Sequence, residues 1–404
     1  MPNKTLEKWE EKTLGEIIYS ISNGTSIKQV KNKTDFPVTR IETISNCSIN
    51  YEKVGYIENC DDELKEKYQM IEGDILFSNI NSDIHLGKTA IFENSQEFLL
   101  HGMNLLNIRV NQEIIIPKFL NYYFIYSRFL GRFIKMASRS VNQSSINQTK
   151  LKSFLVCVPP LQEQQRIVKI LDKAFENIEK SKQNALQNLN NAKELFESYL
   201  TSILVNKDNW DKKKLSEVAI DFGRGRSRHR PRNDKKLYGG EYPFIQTGDI
   251  RNSNHFITEY SQTYNEIGLA QSKLWPKGTL CITIAANIAE TGVLTFDACF
   301  PDSVIGCVFD ETKTNIDYVE YLLQSFKAIL QAEGKGSAQD NINLGTFEKH
   351  YFPFPNKAKQ DEIVDNLNCM RTNIAKLEQI YEQKIKDLDE LKQSILQKAF
   401  NGEL

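Results

Sequence analysis

The sequence lacks the long apolar runs and paired cysteines that would indicate a membrane protein or an oxidising compartment. No stretch approaches the roughly 18 consecutive apolar residues of a membrane-spanning helix, and the first residues, MPNKTLEKWEEK, contain no apolar signal region. The seven cysteines include no C-x-x-C pair, so no disulfide framework is indicated. These absences predict a reduced, cytoplasmic chain without membrane contact.

The chain also lacks an excess of charge, since 51 basic side chains face 52 acidic ones and the net charge is −1. A uniformly basic, histone-like binder is therefore excluded, whereas local basic patches fit the composition. With 40% hydrophobic and 25% charged residues, the composition is that of a folded protein. A length of 404 residues predicts more than one domain.

Motifs for catalysis are incomplete. Residues 87–89 (GKT) end like a phosphate-binding loop, but Ser82 occupies the place of its first glycine. Residues 222–225 (FGRG) resemble the glycine loop of S-adenosylmethionine-dependent methyltransferases, but the Asn/Asp-Pro-Pro-aromatic tetrad of base amino-methylating enzymes is absent. The five histidines form no spaced ligand set. We therefore expect no catalytic group and no metal site in this chain.

The sequence contains the same arrangement of segments twice. WEEKTLGEIIYSISNGTS, from Trp9, corresponds to WDKKKLSEVAIDFGRGRS, from Trp210, at a separation of 201 residues. VPPLQEQQRIVKILDKAF corresponds to FPNKAKQDEIVDNLNCM at a separation of 196 residues. Two glycine pairs match at a separation of 205 residues: Gly73 with Gly278, and Gly87 with Gly292. Because the period is near 200 residues, the pattern indicates a duplication and not a solenoid.

Each copy ends in a long segment with apolar residues at alternating spacings of three and four. The series is regular from Ile363 to Ala399 and weaker in the middle from Ile167 to Ile203. Neither segment contains Pro or Gly between its ends, so two helices of about 37 residues, or about 55 Å, are predicted. The spacing favours a coiled-coil seam. The alternative is two amphipathic helices, each packed on its own domain.

The globular halves mix strand and helix patterns. Short runs such as GDILFS and GTLCITIA lie between Gly and Asn turns and predict strands. One continuous helix is predicted over residues 117–138, where Pro117 suits the first turn, and another over residues 316–334. The predicted fold class is therefore α+β, with two pseudo-repeated globular halves.

The strongest chemical signal is the basic segment RGRSRHRPRNDKK, residues 224–236, here called the arginine loop. The planar fork of arginine fits phosphate oxygens and the guanine edge. We predict DNA contacts from the five arginines of this segment: Arg224, Arg226, Arg228, Arg230 and Arg232. The alternative is a solvated loop or a dock for an acidic protein.

The first half offers two further groups of candidates for DNA binding. Basic residues at the position equivalent to the arginine loop are Lys31, Lys33 and Arg40. Four basic residues after Pro117 have the spacing of one helical face: Arg128, Arg132, Lys135 and Arg139. Asn142 and Gln143 follow as candidate readers of base edges. A polar helix face followed by a plain loop is an equally supported interpretation of this second group.

The two helices that follow prolines, the two similar halves and the terminus LKQSILQKAFNGEL together resemble the specificity (S) subunit of Type I restriction-modification systems. Matching segments include VPPLQEQQRIVKILD, ELFESYLTSIL and GDILFSNINSDIHLGKTAIF, although the second half lacks the double proline. The resemblance covers essentially the whole chain. It implies two target-recognition domains, each reading half of a bipartite DNA site, joined by two long helices that form an antiparallel coiled coil.

The resemblance also implies boundaries, partners and docking residues. The expected units are target-recognition domains at residues 1–158 and 206–355, and spacer helices at residues 159–205 and 356–404. Expected partners are double-stranded DNA, two modification subunits that bind S-adenosylmethionine and methylate adenine N6, and restriction/translocase subunits. This chain would hold no cofactor itself. Docking is expected from apolar residues of the two helices: Ile167, Leu171, Ile178, Ile363, Leu367 and Ile374.

Two other functions remain open from the residues alone. A coiled-coil scaffold or adaptor would use the arginine loop to bind an acidic protein. A stand-alone DNA adenine methyltransferase would bind S-adenosylmethionine without a second subunit.

Overall fold

The computed structural model describes residues 9–44, 48–93, 98–140, 143–204, 209–253, 255–285, 288–335 and 342–404. The chain forms two compact units. The first combines Met1–Ala185 with Glu382–Leu404, and the second is Leu186–Tyr381. No helix within the described ranges is long and apolar enough to cross a membrane.

The first unit begins with short strands and ends in a long helix. Its strands are β1 (Glu10–Thr13), β2 (Ile18–Asn23), β3 (Pro37–Val38), β4 (Gly55–Tyr56), β5 (Ile75–Phe77), β6 (Ile80–Asn81), β7 (Thr89–Ile91), β8 (Leu106–Val110), β9 (Ser138–Ser140), β10 (Gln143–Ser145) and β11 (Leu155–Val158). Its helices are α1 (Asp62–Tyr68), α2 (Pro117–Phe129), α3 (Arg132–Met136), α4 (Gln148–Lys152) and α5 (Leu161–Leu204), the last continuing into the second unit.

The second unit repeats this order with an inserted region of strands and short helices. Its strands are β12 (Asp211–Lys213), β13 (Ala219–Arg224), β14 (Tyr238–Phe244), β15 (Phe256–Ile257), β16 (Gln262–Tyr264), β17 (Leu274–Trp275), β18 (Leu280–Thr283), β19 (Thr291–Leu294), β20 (Ala298–Cys299), β21 (Val304–Phe309) and β22 (Phe352–Phe354). Its helices are α6 (Leu215–Val218), α7 (Thr247–Asn252), α8 (Glu266–Ala270), α9 (Ile316–Lys335), α10 (Leu344–Lys349) and α11 (Lys357–Phe400), the last continuing into the first unit.

Both units are built around the same antiparallel sheet. The strand order is β2-β8-β5-β7 in the first unit and β13-β21-β18-β19 in the second, where β15 adds in parallel to β19. In β5, Ile75 and Phe77 pack into the core on the helix side, whereas Leu76 packs into a core on the opposite face. Cys281 of β18 occupies the position of Leu76. Because both faces are covered, these strands have continuous apolar sequences. The predicted duplication and the α+β class are confirmed.

Strand pairing corrects one part of the sequence alignment. Gly73 and Gly278 both have positive φ, 90° and 82°, and are equivalent as predicted. Gly87 and Gly292 are not equivalent, because the pairings β5–β7 and β18–β19 place Ala90 at the position of Gly292. Ala90 lies 17 residues after Gly73, whereas Gly292 lies 14 residues after Gly278. The loop before β7 is therefore three residues longer.

The predicted single helix over residues 117–138 is wrong. Helix α2 ends at Phe129, and Gly131 adopts a left-handed φ of 68° before α3 begins at Arg132. Glycine takes this conformation without steric cost, and the left-handed turn ends the helix. Arg139 lies further on, in strand β9. The four basic residues spaced for one helical face therefore do not share one.

The long helices α5 and α11 each contain 44 residues, which is longer than predicted. Ion pairs between them run in opposite directions along the two sequences. From the first unit to the second these pairs are Glu179–Lys392, Lys182–Asp389 and Lys193–Glu378. Moving three residues toward the C-terminus of α5 moves the ion-pair partner three residues toward the N-terminus of α11. The two helices form the predicted antiparallel coiled coil.

Each end of the coiled coil also packs into a globular core. In the first unit, Leu171 and Ile178 of α5 share the core with Leu396 and Phe400 of α11. The core of the second unit contains residues from the other ends of the helices: Leu200, Leu204, Ile363, Val364 and Leu367. Pairing between helices and packing on domains, considered above as alternatives, are both present.

A buried glutamine in the first turn ties each long helix to the loop before the unit's main helix. The Gln164 amide oxygen accepts the backbone N–H of Ile116 at 2.8 Å, and its amide nitrogen donates to the carbonyls of Ile114 and Pro159 at 2.9 and 2.8 Å. In the second unit Gln360 likewise accepts from Asn315 at 2.9 Å and donates to the Pro355 carbonyl at 2.8 Å. The glutamine that follows the prolines in both copies therefore joins helix to domain.

Candidate nucleic-acid interface

The two basic segments, residues 29–40 of the first unit and the arginine loop of the second, follow equivalent points of the two units. Each follows the first long strand of the sheet, β2 or β13, and the chain leaves that strand through a glycine, Gly24 or Gly225, at which any side chain would force neighbouring atoms to move. A Cβ on Gly24 would lie 2.0 Å from the carbonyl oxygen of Gly102, and a Cβ on Gly225 would lie 2.2 Å from that of Phe300. Backbone packed this closely fixes where each segment leaves the sheet.

In the first unit, Lys31 and Lys33 project from a short stretch whose two ends are anchored. Before it, the backbone N–H of Val30 donates to the Tyr56 carbonyl at 2.8 Å. After it, the Thr34 hydroxyl donates to the Ile57 carbonyl at 2.7 Å. Both lysines are exposed, so this stretch presents two ammonium groups on a held backbone.

Arg40 is exposed as well, but its guanidinium is already engaged. Its Nε donates to the side-chain oxygen of Gln29. This bond joins Arg40 to Gln29 within the same basic segment, and a DNA ligand would have to compete with Gln29 for the Arg40 guanidinium.

In the second unit, three arginines hold the arginine loop in place. Arg224 Nε donates to the Asp302 backbone carbonyl at 2.6 Å, and Arg232 contacts both carboxylate oxygens of Asp302 at 2.7 and 2.9 Å. Arg230 donates to the carbonyls of Ser227 and His229 within the loop, at 2.5 and 2.9 Å. These three side chains fix the loop's conformation, which the alternation of residues alone did not predict.

Arg226 and Arg228 differ from the other arginines of the loop. Both are exposed, and neither side chain has a partner among the residues that the structure describes. Asp234, the acidic residue of the loop, is engaged by the Lys236 backbone N–H and by His229, and these bonds lower the pKa of its carboxyl group. The loop thus presents two guanidinium groups that are available to a phosphate or a base edge.

The candidates that follow α2 are dispersed. Arg132 is half-buried, with its guanidinium over the rings of Tyr123 and Tyr126 at 5.8 and 5.6 Å, and it donates to the Tyr123 hydroxyl at 3.0 Å. Arg132 therefore already has partners within its own unit, and its DNA contact stays a prediction. Asn142 lies outside the described residues.

Arg139 and Gln143 lie on neighbouring strands and remain candidates. Arg139, in β9, is exposed and lies 3.5 Å from Asp83. Gln143 begins β10, which pairs with both β9 and β6, and its side chain is exposed. The structure therefore brings these two predicted residues together in a small three-stranded sheet.

Sequence reasoning missed two residues near these groups. Asp302 anchors the arginine loop from about 70 residues away, and no local pattern marks it. Ile84 lies in the loop before β7 and is 74% exposed. The sequence did contain a signal for Ile84, because an isoleucine between an aspartate and a histidine is unusual in a loop that is otherwise rich in Asn, Ser and Gly.

The residues predicted to dock a partner do not fit that role. Five of the six are at most 4% exposed, inside the cores described above: Ile167, Leu171, Ile178, Ile363 and Leu367. Ile374 is half-buried in the coiled coil. The same apolar spacing that predicts a helix seam places these side chains within the chain's own packing, so a partner would meet other faces of the helices.

A cavity of about 580 Å³ in the second unit is lined in part by hydrogen-bonded polar side chains. The fully buried carboxylate of Glu320 is hydrogen-bonded to the ring of His255 and accepts from the Thr291 hydroxyl at 3.3 Å. His255 Nε2 also lies 3.3 Å from Asp317. Across the described ranges, no three His, Cys, Asp or Glu side chains are grouped to hold a metal ion. Buried polar side chains persist when their hydrogen-bonding groups are paired in this way.

Comparisons with known proteins agree with this architecture. The sequence matches the family described as type I restriction modification DNA specificity domain over residues 6–188 and 207–386. A putative type I restriction enzyme MjaX specificity subunit from Methanocaldococcus jannaschii is 31% identical over 410 residues, which covers 98% of this chain and 94% of that protein. The EcoKI specificity subunit of Escherichia coli K12 is 24% identical over 180 residues, 43% of this chain and 38% of the relative.

Two solved structures share the fold over nearly the whole length. The HsdS subunit from Thermoanaerobacter tengcongensis aligns with a TM-score of 0.61 at 18% identity, covering 98% of this chain and 97% of that chain. A chain solved in work on complex assembly and conformational transition of the type I R-M system aligns with a TM-score of 0.75 at 17% identity, covering 98% of both.

Proposed function

The chain belongs to the family of type I restriction-modification DNA specificity subunits, and from this premise we propose that each of its two units recognises one half of a bipartite DNA site. The observation that supports this proposal most directly is the equivalence of the two basic segments. In each, the chain leaves the sheet at the same glycine position, Gly24 or Gly225, of a duplicated fold. Two copies of one binding position suit a DNA site with two halves.

Within this proposal, Arg226 and Arg228 contact one half-site, and Lys31, Lys33, Arg139 and Gln143 contact the other. The other arginines of the loop hold it in shape. An unpaired arginine that meets a phosphate adds affinity without sequence preference, whereas one that meets guanine adds discrimination. The scaffold function and the stand-alone methyltransferase function are not favoured by the family assignment.

The partners follow from the same proposal. The chain assembles with the modification and restriction/translocase subunits of a restriction-modification complex in the cytoplasm. Two modification subunits bind S-adenosylmethionine and methylate adenine N6, one for each half-site. This chain supplies sequence recognition and no catalytic group.

The test compares two charge-matched double variants in complex with the modification subunits. Arg226→Ala/Arg228→Ala removes the two unpartnered arginines, and Lys277→Ala/Lys313→Ala removes two exposed lysines elsewhere in the same unit. DNA binding is measured across a range of salt concentrations. If the arginines contact phosphates, the slope of log affinity against log salt flattens by about 0.9 for each lost contact.

A base contact would give a different result in the same experiment. The loss of an arginine that reads guanine lowers discrimination at that base by about 1–3 kcal/mol. The lysine control should retain the parent slope and specificity. Unchanged slope and unchanged specificity in the arginine variant would remove the arginine loop from the interface.

A further inference from the structure

Ile84 is an apolar side chain that the fold holds out in solvent. It is 74% exposed, more than any other large hydrophobic residue in the described part of the chain. Its neighbour two residues on, Leu86, is fully buried in the core of the first unit. The exposure of Ile84 is therefore a local property of one position and not of a loosely attached loop.

The loop around Ile84 is fixed by bonds on both sides. Arg128 donates through Nε to the Leu86 carbonyl at 3.1 Å and through its terminal nitrogen to the Ile84 carbonyl. The backbone N–H groups of His85 and Leu86 both donate to the Ser82 carbonyl, at 2.9 and 3.0 Å. These bonds hold the main chain so that the Ile84 side chain cannot fold back without breaking them.

The same loop is joined to the small sheet that carries two candidate DNA contacts. Asp83 accepts the Ser144 hydroxyl at 2.5 Å and lies 3.5 Å from Arg139. Ser144 pairs with Arg139 across β9 and β10, next to Gln143. An exposed apolar group, a guanidinium and a side-chain amide thus belong to one cluster joined by hydrogen bonds and strand pairing.

We infer that Ile84 packs against the 5-methyl group of a thymine in the first half-site and helps to determine its sequence. This inference rests on the proposed function. The major groove presents thymine as a carbonyl acceptor beside a methyl group, so an apolar side chain is the complement of that methyl. Arg139 and Gln143 can supply the neighbouring hydrogen bonds to base edges. A protein partner is less suited to a lone isoleucine beside these polar readers.

The proposed methylation also ensures that a suitable target exists. If adenine is methylated in each half-site, each half-site contains at least one A·T pair and therefore at least one thymine methyl. A thymine methyl group is therefore present in the half-site for Ile84 to contact, whatever the rest of the half-site sequence is.

The experiment removes the methyl from the DNA and the side chain from the protein. The chain in complex with the modification subunits is titrated with duplexes in which each thymine of the first half-site is replaced in turn by uracil, which lacks only the 5-methyl group. The parent complex should bind one uracil duplex about four-fold more weakly, the factor for one methyl-sized group of about 0.8 kcal/mol.

Three variants make the result specific. Ile84→Ala should bind the thymine duplex more weakly and should no longer distinguish it from the uracil duplex, whereas Ile84→Val should retain most of the difference. Ile71→Ala is the matched control, because Ile71 is an exposed isoleucine of the same unit and should behave as the parent.

Different failures have different meanings. If the parent binds its site specifically but tolerates every uracil, the inference is wrong and the proposed function stands. If Ile84→Ala weakens thymine and uracil duplexes equally, Ile84 contacts something other than the methyl and the inference is also wrong. If no duplex is bound with sequence specificity, the proposed function itself fails.

Discussion

The buried glutamines Gln164 and Gln360 make different numbers of hydrogen bonds, so the structure predicts which of the two substitutions to Ala destabilises its unit more. Replacement of Gln164 by Ala removes three hydrogen bonds and leaves the Ile116 N–H and two carbonyls without partners. A buried polar group left unpaired costs about 1–3 kcal/mol, so the first unit should lose about 3 kcal/mol or more. Gln360→Ala removes two bonds and should cost the second unit about 2 kcal/mol or more.

Hydrogen exchange measured by mass spectrometry separates the two effects in one sample, because amides of α2 report on the first unit and amides of α9 on the second. Gln164→Ala should lower protection in α2 and Gln360→Ala in α9. Gln165→Ala, one residue further along the helix at an exposed position, is the matched control and should change little. A loss below about 1 kcal/mol for Gln164→Ala, or a loss equal to that of Gln165→Ala, would refute the role given to this residue.

Three further predictions concern pH, the buried hydrogen bond between His255 and Glu320, and the coiled coil. Burial lowers the pKa of His101 to about 4, so the free energy of unfolding of the first unit should fall by about 3 kcal/mol as the pH drops from about 6.5 to about 4. In urea titrations at several pH values, the free energy of unfolding of His101→Gln should depend less on pH than that of the parent. An equal pH dependence in the two proteins would contradict the role given to His101. Glu320→Ala should destabilise the second unit by about 3–5 kcal/mol, because it leaves His255 in a buried polar site without its main partner, and an unchanged urea midpoint would speak against the pairing. Deletion of residues 186–192 together with 379–385, one heptad from each helix in facing register, shortens the coiled coil by about 10 Å and should contract the gap between half-sites by about one to three base pairs. A gap that methylation mapping finds unchanged would exclude the helices as a ruler.

Periodic apolar spacing predicted the long helices and favoured their pairing, because burial of an apolar stripe is a strong constraint on sequence. Matching segments about 200 residues apart predicted the duplication. Ile167 and Ile363, which are 196 residues apart, each lie in the first two turns of a long helix and pack in equivalent cores. The same constraint led to an error. Residues chosen as docking contacts for their apolar spacing are buried for that very reason.

Other features depend on distant contacts or on single backbone angles. The roles of Arg224 and Arg232 are set by Asp302, whose position relative to the loop follows only from the folded sheet. Arg132 was spaced correctly for a helical face, but the left-handed φ of Gly131 ends the helix before it. Local propensity tolerates a glycine either inside a helix or at its end, so the sequence pattern did not decide between these outcomes.

The central claim, that each unit reads its own half-site, is tested most directly by mapping methylated adenines in a host that expresses this chain with its modification subunit. The account predicts one gapped motif with an adenine methylated in each half. Exchange of residues 1–158 for the corresponding segment of a relative should then change one half of the motif and leave the other half intact. A motif without a gap, or an exchange that alters both halves in a folded protein, would contradict the account.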